Sequence, residues 1–253
     1  MSEQISFLIE ILPELLIGFP NNRPGGLLLT VLLTAASLVV GTALGALAGA
    51  AHHSRFRVIR FTASLWVQII RGIPLLVQLV VIHTTLGAGR IPGIAFQTSA
   101  LQSAFVTLVL YTSAYQGDVI RAGIASVPTS QIDDARMLGA SSIRLLFTLL
   151  LPTSFRVMRP ALVTQAITVF KDSSVVVVLG VADLTTNARI ALGGDVGNAP
   201  FWVATYLLVG AIYFSVAWSA GRLVVQSDTA VGNKFGTIEA ELAPQAGKAS
   251  VST

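Results

Sequence analysis

The chain has 253 residues, 53% of them hydrophobic and 11% charged, against roughly 25% charged residues in soluble domains, so composition alone makes it a membrane protein. It has no cysteine, which excludes disulfides and thiolate metal sites, and its histidines, His52, His53 and His83, form no metal set. The isoelectric point near 9.9 rests on a net charge of only +4, carried in short loops between apolar stretches, a pattern of membrane topology rather than of nucleic-acid binding.

The N-terminus, MSEQISFLIEILPELL, places acidic residues where a secretory signal would be positive, so no cleavable signal is expected. Residues Ile5 to Phe19 are apolar but interrupted by Glu10, Pro13 and Glu14, which predicts an amphipathic segment in the interface and an external N-terminal piece over 1–26.

A bilayer-crossing helix needs about 20 mostly apolar residues. Leu27 to Ala51 is uncharged and forms the first span. A second apolar region, Phe61 to Gly89, is interrupted by Arg71 and Pro74. Pro92 and Gly93 read as loop, so a third span begins near Ala100 and runs to about Gly117. A fourth runs from about Arg159 to Gly180, and the fifth, Ala199 to Gly221, is uncharged. The fold class is therefore all-α, a polytopic membrane protein of about five transmembrane helices over 27–225. The remainder, 226–253, is polar and rich in small residues and reads as a disordered tail.

Basic residues set the orientation. Arg55, Arg57 and Arg60 lie between spans one and two, and Arg121, Arg136, Arg144, Arg156 and Arg159 between spans three and four. Arg222, Lys234 and Lys248 follow span five. Against these stand Arg23, Arg90 and Arg189 on the other side, with Arg71 and Lys171 inside apolar regions. The richer side is cytoplasmic, which puts the N-terminus outside and the C-terminus inside.

The loop of about 126–152 then faces the cytoplasm. Ser130 and Asp133 fit a capping box, with acids in the first turn where the helix dipole favours them. Gly139 suits the left-handed end of that helix. Ser141 or Ser142 can cap a second short helix, which Pro152 closes. Two helices meeting at a glycine make a knob that fits a groove on a partner, although an ordinary cytoplasmic loop satisfies the same geometry.

The run Asp133, Asp134, Ala135, then Gly139, then Leu149, Leu151 and Pro152 resembles the EAA loop of binding-protein-dependent ABC importers. Asp133, Asp134 and Leu149 depart from its Glu, Ala and Ile; Asp134 adds a charge. Arg71 to Leu79 resembles the RGTPLLVQL segment of the polar amino acid permease branch. Tyr111 to Tyr115, Arg121 to Ile124, Phe170 to Ser174 and Gly180 to Thr185 are similar to the same branch, in order over residues 27–225.

The resemblance implies a type I ABC importer fold in the bacterial cytoplasmic (inner) membrane. It implies as partners a second permease subunit, identical or similar, an external amino-acid-binding protein and an ABC ATPase dimer that carries ATP and Mg. This chain itself then binds no cofactor beyond membrane lipid. The seven loop residues just named would couple it to the ATPase. Around Thr164 to Leu184 the resemblance leans toward glutamate/aspartate permeases.

In the fourth span Thr164, Gln165, Thr168, Lys171 and Asp172 fall within an arc of roughly 120° at helical spacing. Charges at bilayer depth cost about 2.5–3.5 kcal/mol each, so they face a cavity or one another. The stripe is a candidate substrate path, with Lys171 attracting a carboxylate. The same charges could instead pack a dimer or compensate a helix break before Ser173. Tyr111 and Tyr115 share a face of the third span with Thr107 and Asp118 and join the candidates. Arg71 is expected to snorkel to the interface. Gly41, Gly45 and Gly49 mark close helix packing.

No GxxxxGK[ST] loop is present, so the chain is not expected to be an enzyme, and ATP hydrolysis falls to a separate subunit. A secondary amino acid transporter is the alternative. It would show internal repeats, and the KDSS region has no second copy. An intramembrane enzyme finds no HExxH or GxSxG motif.

Overall fold

The computed structural model describes residues 2–18, 24–87 and 98–222. Arg23, Arg90, Pro92, Gly93, Lys234, Lys248 and the tail expected over 226–253 lie outside these residues. Among the described residues the structure is helical. α1 spans Ser2–Ile17, α2 Gly26–Ala51, α3 Arg57–Gly72, α4 Leu75–Ile82 and α5 Ala100–Ala125. α6 spans Thr129–Met137, α7 Ser142–Leu145, α8 Leu151–Asp172, α9 Leu184–Gly193 and α10 202–222.

α2 and α5 form the axis of the bundle. Along α2 the buried positions are Gly26, Thr30, Leu33, Thr34, Ser37, Gly41, Gly45 and Gly49, a stripe of mostly small and hydroxylic residues at helical spacing. α5 answers with Ser103, Thr107, Thr112, Ser113 and Gly117. A Cβ on Gly41 would meet Thr112 at 2.5 Å, one on Gly45 would meet the Gly117 nitrogen at 2.9 Å, and one on Gly49 would meet the Gly117 carbonyl at 2.8 Å. Absent side chains let the backbones touch, which is how membrane helices gain packing where the solvent is as apolar as they are. The outer faces of α2 and α10 carry exposed Leu32, Val39, Leu47, Leu207 and Phe214, as lipid contact requires.

The second apolar region is not one straight span. α3 and the helical run Leu75–Gly87 meet at 102°. Ile73, before Pro74, is extended at φ −104° and ψ 130°, because the proline ring bars the helical region to the residue preceding it. Gln78 secures the corner, its Nε2 donating to the carbonyls of Ile70 at 2.6 Å and Ile73 at 2.8 Å. These are carbonyls the end of α3 leaves unpaired.

The fourth span also differs from expectation. Pro152 does not close a short helix; one helical rod continues from Ser142 to Leu179. Pro152 has no N–H to give, and the rod absorbs the loss by widening to a π turn over Leu146–Leu150 before continuing as α8. At Ser173 it tightens to a 3₁₀ helix that ends at left-handed Gly180, a change of helix type at the place where the sequence suggested a break.

Three helices among the described residues are apolar and long enough to cross a bilayer, Gly26–Ala51, Ser142–Leu179 and Gly197–Arg222, with the bent pair as a fourth. α5 is as long as α2 but less apolar, since it is enclosed by other helices rather than by lipid. α1 lays Phe7, Ile11 and Leu15 on Leu184, Ala188 and Val209, and leaves Ile5, Ile9 and Ile17 exposed. It is thus part of the bundle as well as a surface.

Candidate functional site

The loop after α5 folds as a knob. α6 begins after Pro128 with no side-chain cap, so the Ser130–Asp133 capping box does not form. Thr129 already opens the helix and puts Ser130 inside its first turn. Asp133 instead pairs with Arg136 at 3.5 Å, both largely exposed. Gly139 takes φ +80°, the left-handed turn that ends the helix, and its N–H bonds to the Arg136 carbonyl at 2.9 Å. The Ser141 hydroxyl accepts from the Arg144 N–H and caps α7.

The motif residues divide by position. Ala135, Leu149 and Leu151 pack on a core of Ile120, Ile124, Val127, Leu145 and Leu150, so they hold the knob together. Asp133, Asp134, Gly139 and Pro152 are exposed. Around them stand Met137, Leu138, Ile143 and Phe147, 79%, 89%, 73% and 60% exposed. This apolar rim was not read from the sequence. Its signal was present in the Met137-Leu138 pair before Gly139 and in Ile143 and Phe147 four residues apart.

The path candidates separate in the same way. Tyr111 donates its hydroxyl to Asp172 at 2.9 Å, joining α5 to α8. The Tyr115 ring lies 4.5 Å from that of Tyr111, and the Arg71 guanidinium lies 5.2 Å over Tyr115, within cation–π range. Arg71 is ion-paired with Asp118: α3 stops at Gly72, before Pro74, with Arg71 in its last turn facing α5. Arg121 holds the other Asp118 oxygen through Nη2 at 2.8 Å and Nε at 3.0 Å.

Thr164 and Thr168 return their hydroxyls to the carbonyls of Pro160 and Thr164, and Gln165 is half-buried. Lys171 is exposed and has no hydrogen-bond or ion-pair partner among the described residues. Thr107 is fully buried and donates to Ser103, so it stands apart from this track.

A cavity of about 620 Å³ opens at the Arg71 end, lined by His52, Gln68, Arg71, Tyr115, Asp118 and Arg121 among others. Burial and the neighbouring Arg121 push the His52 imidazole below its ordinary value, toward the neutral form. No group of three His, Asp or Glu residues that could hold a metal occurs among the described residues.

Gly180 to Thr185 forms a joint rather than a site. Asp183, 1% exposed, accepts from the Thr186 and Thr185 N–H groups and caps α9. Ala182 accepts from the Gly26 N–H at 2.9 Å, and the Leu184 N–H bonds to the Thr30 hydroxyl at 3.1 Å.

Residues 41–224 match the model of the binding-protein-dependent transport system inner membrane component family. The chain is 30% identical over 194 residues to the probable glutamine ABC transporter permease protein of Bacillus subtilis, covering 77% of this chain and 86% of that one. It is 31% identical over 190 residues to the arginine transport system permease protein of the same organism, covering 75% and 83%. It is 31% identical over 207 residues to the glutamate/aspartate import permease protein of Escherichia coli O157:H7, covering 79% and 88%. A crystal structure of an amino acid ABC transporter with histidines superposes with TM-score 0.71 and 27% identity, over 90% of this chain and 96% of that one. An inward-facing MetNI methionine ABC transporter does so with TM-score 0.61 and 20% identity, over 89% and 98%, a likeness of fold alone.

Proposed function

We propose a substrate, an orientation and a coupling route for this chain, which belongs to the family of binding-protein-dependent transport system inner membrane components. It is the permease subunit of an amino acid ABC importer, with the type I importer fold, in the bacterial inner membrane. Such a permease works with a separate ATPase and a binding protein, and the secondary-transporter reading is set aside.

The substrate is glutamate or aspartate. The observation that carries this is Lys171, an exposed cation without a partner among the described residues, beside the Asp172–Tyr111 bond in the last turn of α8. A cation held at membrane depth favours an anionic substrate. A glutamate/aspartate permease is among the relatives, as are glutamine and arginine permeases. The path runs along Thr164, Gln165, Thr168, Lys171 and Asp172, with Tyr111 and Tyr115 facing it, and a second permease subunit, identical or similar, closes the other wall.

The α6 end of the bundle faces the cytoplasm, where Arg55, Arg57, Arg60, Arg136 and Arg144 lie. There the exposed face of the knob, with Asp133, Asp134 and Gly139 inside the rim of Met137, Leu138, Ile143 and Phe147, seats in a groove of the ATPase. Ala135, Leu149, Leu151 and Pro152 stiffen it so that motion passes to α8 without loss. This chain binds no cofactor; ATP and Mg sit on the ATPase dimer.

Uptake of labelled L-glutamate in cells with and without the gene tests the substrate, with aspartate, glutamine, arginine and histidine as competitors. Loss of uptake on deletion, with competition by aspartate alone, is the expected result. Lys171→Met should then lower glutamate uptake while the complex still assembles. Glutamate uptake untouched by deletion would reject the acidic substrate.

A further inference from the structure

Two guanidinium groups share one carboxylate at the α6 end of the bundle. Arg71 holds one oxygen of Asp118 and Arg121 the other, so one positive charge is uncompensated. A guanidinium has five N–H donors. Arg71 spends one on Asp118 and Arg121 two, and both side chains keep more than 40% of their surface open. The free donors border a cavity of about 620 Å³, ample for an amino acid. His52, on the same wall, has its imidazole pushed toward the neutral form and adds no charge of its own. The cavity shares Tyr115 with the candidate path. The Tyr115 ring lies 4.5 Å from that of Tyr111, tilted by 40°, and Tyr111 bonds to Asp172, a run of polar and aromatic groups about 15 Å long along α5 from Tyr111 to Arg121 at 1.5 Å per residue.

We propose that this cavity is an anion subsite in which Arg71 and Arg121 take the α-carboxylate of the amino acid at the α6 end of its path. The inference rests on the chain carrying an amino acid, but not on that amino acid being acidic, because every amino acid brings an α-carboxylate. Arginine suits this role because its planar fork matches a carboxylate in two-point contact. Asp118 positions the two guanidinium groups and keeps either from binding so tightly that release stalls. The headgroup phosphate of an anionic lipid offers similar chemistry and is the competing source.

The test uses the full permease–ATPase complex in nanodiscs of phosphatidylcholine, without ATP or binding protein, and measures equilibrium binding of labelled L-glutamate. Gln68 lines the cavity three residues before Arg71 on α3 and hydrogen-bonds to Ser64, so Gln68→Glu sets a negative charge against the guanidinium donors that the carboxylate would use. It should weaken binding by about tenfold or more through like-charge opposition, with an unchanged melting temperature, whereas Gly210→Ala, outside the cavity at a site with nothing within 4 Å, should bind as the parent does. Arg71→Gln should weaken binding as well, and Arg71→Lys should recover part of it. Replacing a third of the lipid with phosphatidylglycerol should leave glutamate binding intact.

Three results would overturn the proposal: no saturable binding by the parent complex, binding that Gln68→Glu leaves within twofold, or displacement of glutamate by phosphatidylglycerol, which would assign the cavity to lipid. If gene deletion shows that another amino acid is carried, that amino acid is the labelled probe, so an error in the substrate and an error in the subsite give different results.

Discussion

Tyr111 and Asp172 stand 61 residues apart in sequence and are joined by one hydrogen bond of 2.9 Å between α5 and the last turn of α8. The bond anchors the rod at the point where it tightens to a 3₁₀ helix at Ser173. Hydrogen bonds to a charged group contribute about 1.5–3 kcal/mol. Tyr111→Phe keeps the ring against Tyr115 and removes only the donor. The variant is expected to assemble with its ATPase, to melt a few degrees lower, and to take up substrate several-fold more slowly. Thermal unfolding of the purified complex together with uptake checks this; parental values in both would remove the bond from the transport machinery.

Gly45→Leu should damage the bundle at its axis. A Cβ there would sit 2.9 Å from both the Gly117 nitrogen and the Ser113 carbonyl, and neither backbone atom can step aside as a side-chain tip would. Overpacking costs about 1–3 kcal/mol where a core can adjust and more where backbones meet. The expected outcome is a sharp fall in complex recovered after mild heating in detergent. Gly210→Leu, at a site with nothing within 4 Å, should behave as the parent.

Asp183 caps α9 with two accepted backbone bonds, at 2.8 and 3.2 Å, from a buried position. Asp183→Ala should cost about 1–2 kcal/mol, the range for a lost N-cap, and Asp183→Asn, which still offers an oxygen, clearly less. Melting curves of the two variants side by side measure the difference. Equal melting temperatures would show that the cap contributes little to holding α9 at the joint.

Much of this architecture is legible in the sequence. The uncharged run of α2, the start of α5 at Ala100 and the turn at Gly139 follow from apolar length and from glycine's access to positive φ. The Gly41, Gly45 and Gly49 spacing reads directly as close packing. What local rules miss depends on tertiary partners. Pro152 ends a helix in isolation, yet here a π turn and a buried Ser154 carry the rod through it. The Arg71–Asp118 ion pair joins residues 47 apart on two helices, so no local pattern announces it. Gln78 reads as one polar residue in an apolar run, and its role at the corner shows only once Ile70 and Ile73 present their carbonyls.

The coupling knob is tested most directly at Gly139. Its φ of +80° puts a side chain into the left-handed region, although nothing lies within 4 Å of a Cβ there; for an L-residue that conformation costs about 1–2 kcal/mol, and a bulky charge would also stand inside the apolar rim. The measurement is substrate uptake and ATPase co-purification in a strain lacking the gene, complemented with the parent chain, with Gly139→Asn or with Gly139→Arg. The parent should restore uptake that depends on the ATPase subunit, Gly139→Asn should retain most of it, and Gly139→Arg should lose both uptake and ATPase while reaching the membrane at the parental level. Full uptake by Gly139→Arg, or uptake by the parent in a strain without the ATPase, would contradict a permease driven through this knob.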